Sequence, residues 1–128
     1  MAPTTMIPDS LEKPAAEEFG AGPRLSAKGL YRAKIDLPKP LVTGAMQRLT
    51  LNVTDSDGHE LDSIAIAVGG GMPDHGHGLP TTPKATRQTA RGAYQIDGVR
   101  FNMGGWWVLA FALDGPAGAD TVTFNFDL

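Results

Sequence analysis

One short segment of the sequence, residues 69–80 with the sequence GGGMPDHGHGLP, combines side chains that can bind a metal ion. It carries Met72, His75 and His77 among glycines and prolines, and Asp74 is its only carboxylate. Thioether sulfur is a soft donor that selects Cu(I), and imidazole also suits copper, whereas calcium and magnesium prefer oxygen. One residue separates the two histidines, so in an extended segment both rings project to the same side. The segment therefore predicts a metal-binding loop, and copper is the ion best matched to it.

A second methionine occurs in a similar setting, Met103 in FNMGG, at the end of another apolar segment. We expect Met103 to join Met72, His75 and His77 in a site of two thioethers and two imidazoles. Such a donor set favours Cu(I), with Cu(II) as the second option. A competing interpretation is that both methionines fill gaps in the core, because Met is flexible and adapts to irregular packing. In that case the two histidines are ordinary surface residues.

Composition excludes several classes of protein. The 128 residues suffice for one domain, and the 16 glycines and 10 prolines indicate many turns, which favours an all-β architecture. A net charge of −3 offers no basic stripe for nucleic acid. The absence of cysteine excludes disulfides and thiolate zinc sites. No segment has the length of a membrane span.

The start of the chain has neither the basic beginning nor the apolar stretch of a signal peptide. Two interpretations are open, a cytosolic protein or the mature form of an exported one. We favour the second and expect a periplasmic location. Residues 1–28 read as a flexible or partly ordered leader that could fold back at Leu11 or Phe19. Residues 29–128 form the predicted folded domain.

Period-2 alternation of apolar and polar side chains predicts strands throughout residues 29–128. The pattern marks residues 31–37, 47–55, 62–68 and 122–128. Residues 85–90 read as a polar, edge-like strand, and residues 93–96, 99–102 and 106–113 as further strands between turn signals. Residues 106–113 are apolar on both faces, which is typical of a central strand. We therefore expect an all-β fold, an immunoglobulin-like antiparallel β-sandwich of about seven strands.

Two Asp-Gly pairs are predicted to be turns between these segments, at residues 55–58 and 97–98. The first, DSDG, resembles part of a calcium loop but lacks the terminal bidentate Glu. His59 beside it is predicted to be solvated. If the connections around Met72 and Met103 lie at one pole of the sandwich, the four donor side chains converge there.

Several stretches together carry a resemblance to a known family: LTLNVTDSDG, AVGGGMPDHGHGLPTTPKAT, GAYQIDGVRFNMGGWWVLAFAL and ADTVTFNFDL. Over residues 45–128 the sequence resembles the YtkA-like and FixH-like family of small bacterial extracytoplasmic domains, and MPxHxHG followed by FNMGGWW is its most specific part. The resemblance implies an immunoglobulin-like fold and a role in copper handling or respiratory oxidase assembly. FixH proper is membrane-anchored, and the lack of such a helix here argues against a direct role in oxidase assembly.

Two functions from different classes remain open at this point. The first is a periplasmic copper-binding protein, a Cu(I) chaperone or accessory domain that exchanges copper with a donor or acceptor protein. The alternative is a protein-interaction module that binds no metal, in which residues 69–80 shape a contact loop. An enzyme is not expected, because the sequence shows no nucleophile beside a general base and no paired carboxylates.

Overall fold

Nine β-strands make up the regular structure of residues 13–128, the part of the chain described in a computed structural model. They are β1 (Arg24–Leu25), β2 (Tyr31–Asp36), β3 (Gln47–Asp55), β4 (Ala65–Met72), β5 (His77–Gly78), β6 (Lys84–Ala90), β7 (Ala93–Val99), β8 (Trp106–Gly115) and β9 (Gly118–Asp127). The only helical pieces in this range are two 3-10 turns, Ala16–Glu18 and Pro73–His75.

The strands form two antiparallel sheets that pack face to face. One sheet has the order β1-β2-β3-β7-β6 and the other the order β5-β4-β8-β9. The predicted all-β sandwich is confirmed, with nine strands instead of about seven. Two of the strands, β1 and β5, are only two residues long, which is too short to show a periodic pattern.

The core lies between the sheets and is built from the apolar side of the alternation. In β2 and β3 the inward residues are fully buried while their neighbours are exposed or half-buried, as the pattern predicts. Strand β8 lies between β4 and β9, so its predicted central position is confirmed. Its residues Trp106 to Phe111 are all buried.

Several predicted boundaries are wrong, and the strand predicted at residues 99–102 is absent, because β7 continues through Val99 and ends there. The strand predicted at residues 62–68 is β4, which runs on through the glycines to Met72 because Gly69, Gly70 and Gly71 pair with β8. The predicted turn at residues 97–98 lies inside β7. Asp97 pairs there with Lys84 of β6, and its carboxylate accepts hydrogen bonds from neighbouring side chains of the same sheet.

Residues 13–28 of the predicted leader make several contacts with the sandwich. Phe19 forms an isolated parallel bridge with Asn125 of β9, and β1 pairs with β2. Ser26 is buried, and its hydroxyl donates to Asp120 at 2.6 Å. The remaining residues of the predicted leader, including Leu11, lie outside the described residues.

Candidate metal centre

Three of the four predicted metal ligands lie on a single β-hairpin at one end of the four-stranded sheet. Met72 is the last residue of β4, His75 ends the 3-10 turn, and His77 begins β5. Met72 and His77 are register partners, so their side chains project from the same face of the hairpin. The predicted loop is therefore a hairpin in which Met72 and His77 are neighbours across the two strands.

Glycines make this hairpin sterically possible. A Cβ on Gly71 would overlap the carbonyl oxygen of His77, so β5 can lie this close to β4 only against glycine. Gly76 has a φ of 64° in the left-handed region, which reverses the chain between the two histidines. The glycine-rich composition is thus explained by the tight hairpin.

Both histidine rings are exposed and lie close together. Their centroids are 5.8 Å apart in a stacked arrangement, with 30° between the planes. Nδ1 of His77 lies 3.0 Å from the carbonyl oxygen of Gly78. Since that oxygen can only accept, Nδ1 is the donor in this contact, which leaves Nε2 as the ring nitrogen that faces away from it and is available to a metal ion.

Met103 lies on the neighbouring turn that leads into β8, with 40% of its surface exposed. The indole N–H of Trp107 donates to the Met103 carbonyl oxygen at 2.9 Å. The same indole ring meets His77 edge to face, with centroids 5.9 Å apart. Trp107 therefore touches both the hairpin that carries the histidines and the turn that carries Met103.

Met72 is buried, with only 1% of its surface exposed, and it belongs to the hydrophobic core cluster. Its methyl group lies against Gly105, where an added Cβ would come within 2.7 Å of Met72 Cε. The side chain thus extends beneath the turn that carries Met103. For Met72 this position agrees with the core-packing interpretation, whereas Met103, His75 and His77 are accessible from solvent.

The donor atoms at this end of the sandwich are uncharged when they can bind a metal: two thioethers and two neutral imidazoles. Asp74 is exposed on the same hairpin and is its only carboxylate. Such a set lacks the several oxygens that calcium or magnesium requires and matches the soft-to-intermediate character of copper.

The turn at residues 55–58 is present as predicted, and Asp55 holds it together. Its carboxylate accepts the backbone N–H groups of Asp57 and His59, each at 2.9 Å. These hydrogen bonds, the one from the His59 N–H foremost, keep the pKa of Asp55 below its ordinary value. Ligand atoms of the three side chains lie within 4.8 Å of one another, but Asp57 and His59 are exposed and the contacts among them account for the arrangement.

Sequence patterns did not reveal the part that Trp107, Gly105 and the Gly78 carbonyl take in this region. Their contacts join strands that are distant in sequence, which a local pattern cannot show. The one available signal was the position of two tryptophans directly after Met-Gly-Gly.

Among residues 13–128, no helix has both the length and the apolar character needed to cross a membrane.

Comparison with solved structures finds similarity to the ZirS C-terminal domain, with a TM-score of 0.44 and 15% sequence identity over 93% of this chain and 80% of that one. A search of curated proteins found no match. The sequence model of a family described as YtkA-like matches residues 25–112, a range that starts earlier and ends earlier than the predicted resemblance and contains all four candidate ligands. Because this range covers more than half of the 128 residues, the chain belongs to the YtkA-like family.

Proposed function

We propose that this protein binds Cu(I) through Met72, His75, His77 and Met103 and passes it to a copper-accepting protein. The observation that carries the proposal is the pairing of Met72 with His77 across the hairpin, next to the His75 ring and the turn that carries Met103. Two side chains of the set are exposed imidazoles and one is a half-exposed thioether, so an incoming ion meets donors at the surface.

Exposure of these donors favours a carrier over an enzyme. A carrier must give up its ion to a partner, and ligands at the surface can be replaced one at a time by the ligands of the partner. The thioethers carry no proton at working pH, whereas an imidazole must be unprotonated to bind, so we expect Cu(I) affinity to fall as the pH is lowered. Membership of a family of extracytoplasmic domains supports a periplasmic location, the compartment that we propose.

Titration of the purified protein with Cu(I), Cu(II) and Zn(II) tests the proposal. We expect one equivalent of Cu(I) to bind most tightly, because thioether sulfur prefers Cu(I) to both other ions. Measurement by competition against a Cu(I) chelator gives the affinity directly. Failure to compete with a weak chelator, or tighter binding of Zn(II), would contradict the proposal.

The two methionines can be tested separately by Met72→Leu and Met103→Leu, which keep approximate volume and remove only sulfur. We expect Met103→Leu to weaken Cu(I) binding with little effect on stability, since Met103 is half-exposed. Met72→Leu should weaken binding and also alter stability slightly, because Met72 packs in the core. Unchanged affinity in either variant removes that residue from the site.

The second candidate, an interaction module without a metal, is favoured by the exposed apolar side chains of Val42, Met46 and Met103. Loss of Cu(I) binding in Met103→Leu supports the copper proposal, whereas a wild-type protein that binds no copper leaves the interaction module as the better account.

A further inference from the structure

Trp107 occupies an unusual position for a core residue, because it contacts both halves of the proposed site. Its side chain is fully buried, with Phe101 packed edge to face at 5.1 Å between centroids. From there its indole N–H donates to the Met103 carbonyl oxygen at 2.9 Å, and its ring forms a T-shaped contact with the His77 ring, with centroids 5.9 Å apart. The Met72 side chain also reaches this turn, where its Cε lies against Gly105, but Met72 is itself one of the proposed ligands.

This arrangement has a physical consequence for metal binding. The hairpin end and the turn that carries Met103 are short irregular segments of glycine-rich sequence, which on their own would lose much conformational entropy on closing around an ion. The Trp107 indole is anchored in the core, donates a hydrogen bond to the Met103 turn and packs on the hairpin. It therefore reduces this entropy cost before the ion binds. Pre-organisation of this kind raises affinity without adding a ligand.

We propose that Trp107 is a positioning residue of the copper site, which holds the Met103 turn next to His77 through its indole N–H and its T-shaped ring contact. The inference rests on the function proposed above and adds to it the device that pre-organises the site. Trp107 donates no electron pair to the ion in this account. Its role is to hold the backbone of one ligand and the ring of another.

Trp107→Phe is the direct test, because it keeps an aromatic ring in the core and removes the N–H that bonds to Met103. The chain offers a matched control in Trp106→Phe. Trp106 is equally buried, and its indole N–H donates to Asn125 Oδ1 at 3.0 Å, but the residue lies on the opposite face of β8. We expect Cu(I) affinity to fall about five- to tenfold in Trp107→Phe, the effect of losing one ordinary hydrogen bond, and to stay unchanged in Trp106→Phe.

A double-mutant cycle separates positioning from general stability. If Trp107 acts by holding Met103, the loss of affinity caused by Met103→Leu should be smaller in the Trp107→Phe protein than in the wild type. Additive effects would mean that the indole acts on the fold alone, and this would overturn the inference. Equal Cu(I) affinity in wild type and Trp107→Phe would also overturn it.

A measurement on the wild-type protein covers the case in which Trp107→Phe does not fold. The two indole N–H signals in a ¹⁵N–¹H NMR spectrum, assigned with Trp106→Phe, should respond differently to Cu(I). We expect the Trp107 signal to shift on addition of one equivalent and the Trp106 signal to stay in place. If the protein binds Cu(I) but the Trp107 signal does not move, this inference is overturned and the proposed function stands. If the wild type binds no Cu(I), both the proposed function and this inference are overturned.

Discussion

At the scale of single residues, the two histidines differ from Met72 in what they contribute to folding. His75 and His77 are exposed on the hairpin. Within residues 13–128, their rings make one hydrogen bond, between His77 and the carbonyl oxygen of Gly78. Met72 is buried in the core. Binding and stability should therefore respond separately to changes at these positions.

The double variant His75→Ala, His77→Ala should keep the fold and lose Cu(I) binding. Exposed side chains away from caps and networks usually change the free energy of unfolding by less than about 1 kcal/mol each. Thermal or urea unfolding of the metal-free protein measures this change. A loss of more than about 2 kcal/mol would show that the histidines are structural.

Asp120 of β9 ties residues 26–30 to the four-stranded sheet through several hydrogen bonds. Its carboxylate is 6% exposed and accepts hydrogen bonds from the Ser26 hydroxyl and the backbone N–H groups of Lys28, Leu30 and Thr121. Burial raises the pKa of Asp120, but these hydrogen bonds lower it further, so its pKa lies below the ordinary value of 3.8.

Asp120→Ala should lower the free energy of unfolding by about 2 to 4 kcal/mol at neutral pH, because it leaves the Ser26 hydroxyl and several N–H groups without their acceptor. The folded state binds a proton on Asp120 less readily than the unfolded state, so this stabilisation is complete above pH 3.8 and is lost as the pH falls toward the lowered pKa. Urea unfolding at pH 7, 5 and 3 measures it. The control is Asp114→Ala at the exposed end of the same β8–β9 hairpin. An equal effect of both variants at pH 7 would contradict the role of Asp120.

At the scale of elements, strand β8 shows how a central strand uses both of its faces. Trp107 points into the sandwich between Phe101 and the hairpin, and Trp106 points to the opposite face. Trp106 is only 2% exposed, so it is enclosed on that face. Both tryptophans are therefore buried, on opposite faces of β8.

Trp107→Ala should destabilise the metal-free protein by about 3 to 5 kcal/mol, the cost of removing a large buried aromatic side chain. Because Trp106 is also buried, Trp106→Ala should likewise cost more than about 2 kcal/mol. Urea unfolding compares the two variants with the wild type. Small and equal effects at both positions would mean that β8 is not the central strand of its sheet.

The β4–β5 hairpin depends on Gly71 for its geometry. Gly71→Ala should destabilise the protein by about 1 to 3 kcal/mol and weaken Cu(I) binding, since a Cβ overlaps the His77 carbonyl and separates Met72 from its register partner. Gly76→Asn is the matched control, because Gly76 has open space around it and Asn tolerates its left-handed backbone. Unfolding curves and Cu(I) competition are measured for both. If Gly71→Ala has the same stability and the same Cu(I) affinity as Gly76→Asn, this account of the hairpin is contradicted.

At the scale of the whole molecule, the sequence predicts the architecture better than it predicts the candidate site. Alternation in residues 47–55 predicts β3 residue by residue, because one face of that strand is buried and the other is solvated. The glycine run before Met72 has no side chains to alternate, so only its pairing with β8 shows that it is a strand. The burial of Met72 and the contacts of Trp107 follow from that pairing and could not be predicted locally.

The central claim, that thioether sulfur and imidazole nitrogen bind one Cu(I) ion at the end of the sandwich, is tested most directly by copper K-edge X-ray absorption of the Cu(I)-loaded protein. The claim predicts scattering from both sulfur and imidazole around the ion. The sulfur contribution should decrease in Met72→Leu and in Met103→Leu, while the imidazole contribution stays in both. A spectrum with only nitrogen and oxygen neighbours, unchanged in both methionine variants, would contradict it.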